Sequence, residues 1–405
     1  MNLKSTETAY DTPKPAITSE TLILLCACSV GFAFSCNYTN HAPLVPLLIK
    51  EFGVTKAMAG LLTTGIFLTH ALMQIPGGHL ADTYGGRRIL LVALGVVCLG
   101  NFGISFATSY NQLLFWKVLT GLGTGSSFVA GARYLTQVLP ANRLHMAQGL
   151  YGGSVLLGSG FVIFAVPRLA EAFGWPGAFI STALVALSVL VLCLFAAPEA
   201  PVHKHAPGSL LAMLSHGQLW LLGLVQMASF GLVIVVGTWT TTLLKEQLGE
   251  KPETKLLISF IASLVLLIGI FSRPWGGRLV GTLGVRKLLL ISLLMNATGC
   301  FLLAVSGTSL AVAILGIALL GVGCGLPYAS LFNRAVALFP GRGGAAMGLV
   351  NMLGIVMILV GAPLVGKITD LTGSFTSAFV SLGIFALVIC LVSLKINDKC
   401  DNVLA

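Results

Sequence analysis

Four basic side chains lie inside long apolar stretches of the sequence, where charge is costly. Arg133 interrupts the run SFVAGARYLTQVLP (127–140), and Arg334 interrupts ASLFNRAVALFP (329–340) at a similar distance from a proline. The other two are Lys117 and Arg273. All 13 Asp and Glu residues lie instead at the ends of such runs, in loops or in the tails. Because arginine binds carboxylates and oxyanions well and no acidic residue matches these basic groups, Arg133, Arg334 and Lys117 favour an anionic cargo.

A different interpretation applies to the two arginines named first. Arg133 and Arg334 each lie about two helical turns from the end of their run, so each side chain is long enough to reach the membrane surface. The sequence leaves three roles open for them. They line a cavity, they close a gate at its inner end, or they only extend to the interface.

Uncharged polar residues form a second set of candidates for substrate binding. Asn37, Asn40 and His41 recur at i, i+3 and i+4, which places them on one face of a helix beside Tyr38. His70 lies in the middle of the next run, and imidazole gains and loses a proton near neutral pH. The alternative role for all of them is hydrogen bonding that holds the bundle together. Further candidates, for which packing is the alternative, are Gln226, Trp239, Tyr328 and Asn333.

The composition shows which elements must position these residues. The 405-residue chain is 56% hydrophobic and 9% charged, with a mean hydropathy of +0.95, whereas soluble domains carry roughly 25% charged residues. This composition is typical of a polytopic membrane protein. Its spans are helices of about 20 residues, because backbone N–H and C=O groups in lipid must form their hydrogen bonds within the span. The predicted spans are twelve apolar runs, at 21–49, 57–80, 89–107, 112–138, 146–169, 174–196, 218–244, 254–277, 287–306, 309–338, 345–367 and 374–395.

The sequence repeats itself on either side of a polar, proline-rich break. We predict a cytoplasmic linker at 197–217 between an N-terminal bundle (21–196) and a C-terminal bundle (218–395), with cytoplasmic tails at 1–20 and 396–405. An all-α protein of two pseudo-symmetric six-helix bundles is a known plan for transporters, with the substrate site between the halves. The halves correspond at an offset of 199 to 200, which pairs Leu80 with Leu279, Gly85 with Gly284, Arg87–Arg88 with Arg286–Lys287, and Gly174 with Gly373.

The remaining patterns exclude other classes of protein. Lys and Arg residues between the runs are more frequent on one side, which predicts that both termini are cytoplasmic. They form no basic tract, so no nucleic-acid partner is expected. The stretch GLGTG (121–125) lacks the Lys and Ser/Thr of a P-loop, and the nine cysteines lack metal-ligand spacing. We therefore expect neither an enzyme nor a bound cofactor or metal, and the energy for transport must come from a gradient.

The segment GGHLADTYGGRR (77–88) resembles the loop signature of the major facilitator superfamily between its helices 2 and 3. The resemblance implies two six-helix bundles and a network that latches them in the outward-facing state. Thr83 and Gly86 replace basic residues that are usual in the signature. The alternative is a solvated turn that only fixes topology. On this resemblance we expect the latch to comprise Gly78, Asp82, Gly85, Arg87, Arg88, Arg278, Arg286 and Lys287.

Two further segments carry weaker resemblances. WKVLTGLGTG (116–125) is similar to the helix 4 pattern of the family, with Lys117 in place of the usual arginine. Lysine is a point charge without the bidentate fork of arginine, so its role differs. The region that starts NYTNHAPLVPLL (37–48) is similar to helix 1 of anion porters in this superfamily, of the anion–cation symporter and cyanate or nitrate types. Asn40–His41 stands where those symporters have a charged pair.

Together these features predict a secondary active transporter that works by alternating access. It would move a small inorganic or organic anion by symport or exchange, with a proton or sodium ion as the coupling partner. Two alternatives stay open: an efflux pump for amphipathic compounds, and a receptor or scaffold that does not transport. We expect a monomer, embedded in the lipid bilayer as a multi-pass protein of the bacterial inner membrane.

Overall fold

A computed structural model describes residues 17–200, 210–248, 252–307 and 309–396. All regular elements within these ranges are helices. The first half contains α1 (Ile17–Thr39), α2 (Val45–Phe52), α3 (Lys56–Leu72), α4 (Gln74–Tyr84), α5 (Gly86–Ser105), α6 (Tyr110–Val138) and α7 (Ala141–Ala196). The second half contains α8 (Leu210–Leu214), α9 (Gly217–Gln226), α10 (Leu232–Leu248), α11 (Pro252–Leu283), α12 (Val285–Val305), α13 (Leu310–Gly325), α14 (Tyr328–Leu338), α15 (Gly343–Thr372) and α16 (Phe375–Ser393). Most of the predicted tails and residues 201–209 of the predicted linker lie outside the described residues.

The predicted twelve-helix, all-α fold is confirmed. Ten helical stretches of the described chain are long and apolar enough to cross a membrane, and α3 with α4 forms one more span that bends by 41°. The 56-residue α7 is broken at Gly174, where φ is 70°, and so supplies two spans. The first span is shorter than the predicted run 21–49. α1 ends at Thr39 and a 3₁₀ turn (Ala42–Leu44) follows, because prolines cannot donate the backbone bonds that would continue the helix.

The internal repeat is visible in the backbone. Gly85 and Gly284 both have positive φ, at 93° and 75°, and each forms the turn that joins two successive spans. Gly174 and Gly373, the other predicted pair, have φ of 70° and 67°. Residues with a side chain rarely adopt a positive φ, so glycine is required at all four positions. Gly85 and Gly284 also have similar ψ, at 138° and 159°, whereas Gly174 and Gly373 differ, at 171° and 12°.

The two halves touch where α4 crosses α15 and where α7 crosses α11. Glycines permit both crossings. A Cβ on Gly78 would lie 2.2 Å from the Gly344 carbonyl oxygen, and one on Gly277 would lie 2.4 Å from the His145 oxygen. Both crossings are at the end of the molecule that also holds Asp82. We call this the motif end, and it is the side that the charge distribution predicts to be cytoplasmic.

Candidate functional site

A small cavity lies between the two halves, and its walls come from both. The first half contributes Tyr38 of α1, His70 of α3 and Phe128 of α6, and the second half contributes Phe230 and Asn351. The space open to the centre of a water molecule is about 20 Å³. Roughly 10–15 Å³ by this measure holds one water, so the cavity in this closed form has room for about one water. Three more apolar side chains complete the wall: Phe34, Val155 and Ile355.

The helices around the cavity are irregular. The bend between α3 and α4 falls next to His70, and a π-helical turn (Met227–Gly231) between α9 and α10 carries Phe230. The tenth span is interrupted between Gly325 and Tyr328, where α13 gives way to α14. π-turns and broken helices recur at functional sites and at the substrate sites of transporters. The irregularities therefore favour this cavity as the binding site.

Arg273 of α11 places a buried positive charge beside Phe230, one of the residues that line this cavity. Its side chain is 1% exposed, near the middle of the span Phe260–Leu283. The guanidinium carbon lies 4.2 Å from the ring centre of Tyr328 and 5.4 Å from that of Phe230. One Nη donates to the Gly152 carbonyl on the opposite half. No carboxylate among the described residues pairs with it.

A chain of side-chain amides joins the two halves through Asn351, which lines the cavity. Gln226 donates to Asn351 Oδ1 over 3.2 Å, and Asn351 donates in turn to Gln74 Oε1 over 3.1 Å. Gln74 then donates to the His70 carbonyl over 3.3 Å. The Gln226 Oε1 atom and the Tyr328 hydroxyl are buried and have no protein partner. Both residues lie behind the cavity wall: Gln226 contacts Asn351, and Tyr328 contacts Arg273, which lies against Phe230.

The His70 ring lies on the first-half wall. Its Nδ1 is 3.0 Å from the Thr124 hydroxyl, and its ring centre is 5.1 Å from that of Tyr38. The backbone of His70 packs directly on Gly125, where a Cβ would approach the His70 oxygen to 2.4 Å. The corresponding Gly325 packs on Ser272 and Arg273 of α11. Glycines at these two positions therefore allow α6 to pack on the backbone of His70, and the tenth span to pack on the backbone of Arg273.

At the motif end, one carboxylate joins the two halves. Asp82 Oδ1 accepts from the Gly344 N–H over 2.9 Å, and Oδ2 accepts from the Ala345 N–H over 3.1 Å. These are the first free N–H groups of α15, where a helix dipole attracts negative charge. Arg133 Nε lies 2.7 Å from Asp82 Oδ1, and its Nη2 donates to the Pro340 carbonyl over 3.0 Å. This end of the protein is therefore closed.

A separate polar network is buried inside the first half. Lys117 is fully buried and donates to the Asn37 carbonyl over 3.0 Å and to Asn40 Oδ1 over 2.6 Å. Asn40 donates to Asn101 Oδ1 and to the Thr182 hydroxyl. The network therefore connects α1, α5, α6 and α7 within one bundle, away from the walls of the central cavity.

The whole chain matches one family of membrane transporters. A family model described as Major Facilitator Superfamily matches residues 27–282 and 242–399. The chain belongs to this superfamily. Solved members share its fold: the human organic anion transporter MFSD10 (TETRAN) superposes with a TM-score of 0.78 at 19% identity, covering 94% of this chain and 100% of that one. The proton:xylose symporter XylE also gives 0.78, at 16% identity, with 96% and 99% covered.

Sequence relatives within the superfamily are named for small anions. The chain is 21% identical to the "Probable nitrate transporter NarT" of Staphylococcus epidermidis, over 88% of this chain and 92% of the relative. It is 25% identical to the "Nitrite extrusion protein" of Bacillus subtilis, over 85% and 86%. It is 26% identical to the "Probable sulfoacetate transporter SauU" of Cupriavidus necator, over 95% of both.

In this superfamily member, two of the predicted binding residues, Tyr38 and His70, line the cavity. Gln226 contacts Asn351 of the wall, and Tyr328 contacts Arg273, which lies against Phe230 of the wall. Trp239 lies elsewhere, donating to the Ala362 carbonyl over 3.0 Å.

The predicted polar face of the first span points away from the cavity. Asn37 and Asn40 do share a face, since both contact Thr182 of α7. His41 does not belong to that face, because its Nε2 lies 2.9 Å from the Thr63 hydroxyl of α3. These residues surround Lys117 instead.

The predicted latch residues divide into a buried and an exposed group. Gly78 and Asp82 form the contact with α15, and Gly85 forms the adjacent turn. Arg87 pairs with Glu199 of its own half at 2.6 Å. Arg286 is half-buried, and the exposed members are Arg88, Arg278 and Lys287.

The interface interpretation of Arg133 is wrong. Its side chain is 7% exposed and paired with Asp82, because that carboxylate lies within reach inside the protein. Arg334 is also buried, on α14. The neighbouring Asn333 is buried with no protein partner for either side-chain amide atom.

Two residues at the site did not figure among the predicted binding residues, namely Arg273 and Gln74. Arg273 was recognised only as a cation within a span. The signal that could have identified it is SRPWGG (272–277), in which the arginine immediately precedes a proline inside an apolar run. Gln74 likewise lies two residues before Pro76. Polar residues beside helix-distorting prolines inside a span deserve the same weight as isolated charges.

Proposed function

We propose that this protein is a secondary transporter of a small oxyanion, which binds beside Arg273 in the cavity between the two halves. The observation that carries the proposal is the buried guanidinium. Burial of a charge is costly unless an opposite charge accompanies it, and no described carboxylate does so here. An anionic cargo would supply that charge each time it binds.

The shape of the site supports a small and planar cargo. The guanidinium is a planar fork of donors that matches carboxylate and other oxyanion groups, and its Nε atom has no protein partner. The ring of Tyr328 covers one region of the guanidinium and leaves its edge for in-plane hydrogen bonds. The small volume of the cavity favours an anion of nitrate or nitrite size over a large amphipathic compound. The names of the sequence relatives, a nitrate transporter and a nitrite extrusion protein, agree with a small oxyanion.

Alternating access is the mechanism that the arrangement favours. The motif end is closed by Asp82 against α15, so a cargo in the cavity would leave on that side only after the halves separate. The bent α3–α4 span, the π-turn and the broken tenth span all adjoin the cavity, where motion would have to be absorbed. Binding at Arg273, which also contacts Gly152 of the first half, would couple the cargo to that motion.

Reconstitution into liposomes tests this function. Uptake of labelled nitrate, nitrite and sulfoacetate would be compared with uptake of urea and choline, using the wild type, Arg273→Gln and Arg273→Lys. Truncating one member of a buried charge pair costs about 2–5 kcal/mol, so we expect Arg273→Gln to lose roughly 30-fold or more in anion affinity. Arg273→Lys should recover part of that loss.

The matched control is Lys367→Gln, which removes an exposed cation from the same half and should leave anion uptake unchanged. Flux of only neutral or cationic compounds would contradict the proposal. Flux of large amphipathic compounds out of the vesicles would favour an efflux pump, and anion binding without flux would favour a receptor. Undiminished anion uptake by Arg273→Gln would place the binding site elsewhere.

A further inference from the structure

A long groove lies on the lipid-facing side of the second half, between α15 and α16. Its walls are apolar side chains of these two helices, and Met227, the first residue of the π-helical turn, also lines it. The space open to the centre of a water molecule is about 270 Å³, compared with about 20 Å³ in the central cavity. The groove is therefore large enough for part of a sizeable molecule.

The groove is a recess and not a flat surface. Val360 and Leu364 form its rim on α15, where 60% and 51% of their surface is exposed. Met357 and Val365 of the same helix lie deeper, at 9% and 2% exposed. Leu382 is buried in the same way on α16. A molecule that only covers the outer surface of the protein would touch the rim and miss these deeper residues.

The length and position of the groove match one leaflet of a bilayer. Its lining on α15 runs from Val356, at the middle of that helix, to Ile368, close to the end opposite the motif end. At 1.5 Å per residue this stretch is about 18 Å long, and half of the hydrocarbon core of a bilayer is about 15 Å thick. The antiparallel α16 agrees, because its lining runs from Phe385 near its middle to Ala378 near the same end. The groove therefore extends from the midplane to one membrane surface.

The chemistry of the lining favours hydrocarbon as the occupant. Among the described lining residues the polar side chain is Ser381, whose hydroxyl already donates to the Ser377 carbonyl over 2.8 Å. A buried water needs two to four polar partners, so water is a poor occupant. A methylene chain needs none, and it gains dispersion contacts with the walls. Met227 and Met357 have flexible side chains that adapt to an irregular apolar shape.

We propose that this groove is the binding site for one acyl chain of a membrane phospholipid. The headgroup lies at the end opposite the motif end, and the terminal methyl lies beside Met227 and Met357 near the midplane. There the chain contacts the back of the π-helical turn, since a Cβ on Gly231 of that turn would lie 2.7 Å from Met357 Cβ. The same turn carries Phe230 of the central cavity, so the lipid packs against an element that shapes that cavity. This inference does not depend on which cargo is transported.

A photoreactive phospholipid tests both the site and the orientation of the chain. Purified full-length protein would be placed in nanodiscs of phosphatidylethanolamine and phosphatidylglycerol. A small fraction of the lipid would carry a diazirine on one acyl chain, either near the terminal methyl or near the glycerol ester, and mass spectrometry would map the label after irradiation. We expect the terminal probe to label Met357 and Phe385, and the ester-proximal probe to label Ile368 and Ala378.

Two substitutions on α16 provide a matched pair. Ser381→Trp places an indole ring in the groove, whereas Ile384→Trp places the same ring at a lipid-facing position outside the lining. We expect Ser381→Trp to lower the label at Met357 about tenfold, because the ring takes over the contacts between the chain and the walls. Ile384→Trp should be labelled as the wild type is. Both positions are exposed, so neither substitution disturbs the packed interior.

Contrary results are equally distinct. Equal labelling of Met357 by the two probes, or labelling in the reverse order along the groove, would overturn the proposal. Label confined to exposed positions such as Leu391 would mean that lipids only surround the protein. Unchanged label at Met357 in Ser381→Trp would also overturn the site. Groove residues that stay unlabelled in nanodiscs holding two copies of the chain would show that a second copy covers the groove instead.

Discussion

Replacement of Asp82 by asparagine should open the motif end. The carboxylate accepts two backbone N–H groups of α15 and pairs with the buried Arg133. Hydrogen bonds to a charged group contribute about 1.5–3 kcal/mol each, and removing one partner of a buried ion pair costs about 3–5 kcal/mol. Because asparagine keeps an oxygen for one N–H group, we expect the closed form to lose about 3 kcal/mol relative to the open one. That corresponds to roughly a 100-fold change in their ratio.

Hydrogen–deuterium exchange measures this change in the ratio of the closed to the open form, and it leaves the native cysteines in place. The amides of Gly344 and Ala345 are protected by their bonds to Asp82, and their exchange should accelerate roughly 100-fold if local opening governs the rate. Glu199→Gln is the control, since it removes the exposed pair with Arg87 near the same end, and such pairs contribute about 0–1 kcal/mol. Exchange in Asp82→Asn within about twofold of the wild type would refute the latch.

Two other substitutions test the helix contact at the motif end and the amide chain at the cavity. Gly78→Ala should hinder closure of the motif end, because the added methyl would lie 2.2 Å from the Gly344 oxygen. We therefore expect faster hydrogen–deuterium exchange at the start of α15. Gly281→Ala is the control and should have no effect, because a Cβ there meets nothing within 4 Å. Asn351→Leu leaves Gln74 and Gln226 without their shared partner, so nitrate affinity should fall about tenfold in a binding assay, at about 1–3 kcal/mol for unpaired buried amides. Unchanged affinity would show that the amide chain plays no part in binding.

The fold was predictable because lipid constrains the sequence strongly. Runs of about 20 apolar residues have no other stable conformation in a bilayer than a helix, so twelve runs gave twelve spans. The repeat was predictable from glycines whose positive φ is a local property, as at Gly85 and Gly284. The bend of the α3–α4 span and the exact end of α1 depend on packing and were not predicted.

The binding site was predictable only in part, because residue type does not show which way a helix face points. The spacing of Asn37 and Asn40 correctly placed both on one face, but only the packing against Thr182 shows that this face is internal to the first half. The role of Arg273 depends on Tyr328, which meets it because the tenth span breaks just before that residue. Arg133 could not be assigned before its partner Asp82 was located in space.

Ligand-dependent stability of the purified protein tests the central claim most directly. A ligand that binds only the folded state at 100 times its dissociation constant stabilises that state by about 2.7 kcal/mol. We predict that nitrate or nitrite raises the thermal unfolding midpoint of the wild type and of Lys367→Gln in a saturable manner, and leaves that of Arg273→Gln unchanged. Equal stabilisation of Arg273→Gln by the same anion, or stabilisation of the wild type by urea and choline but by no anion, would contradict a site for small anions at Arg273.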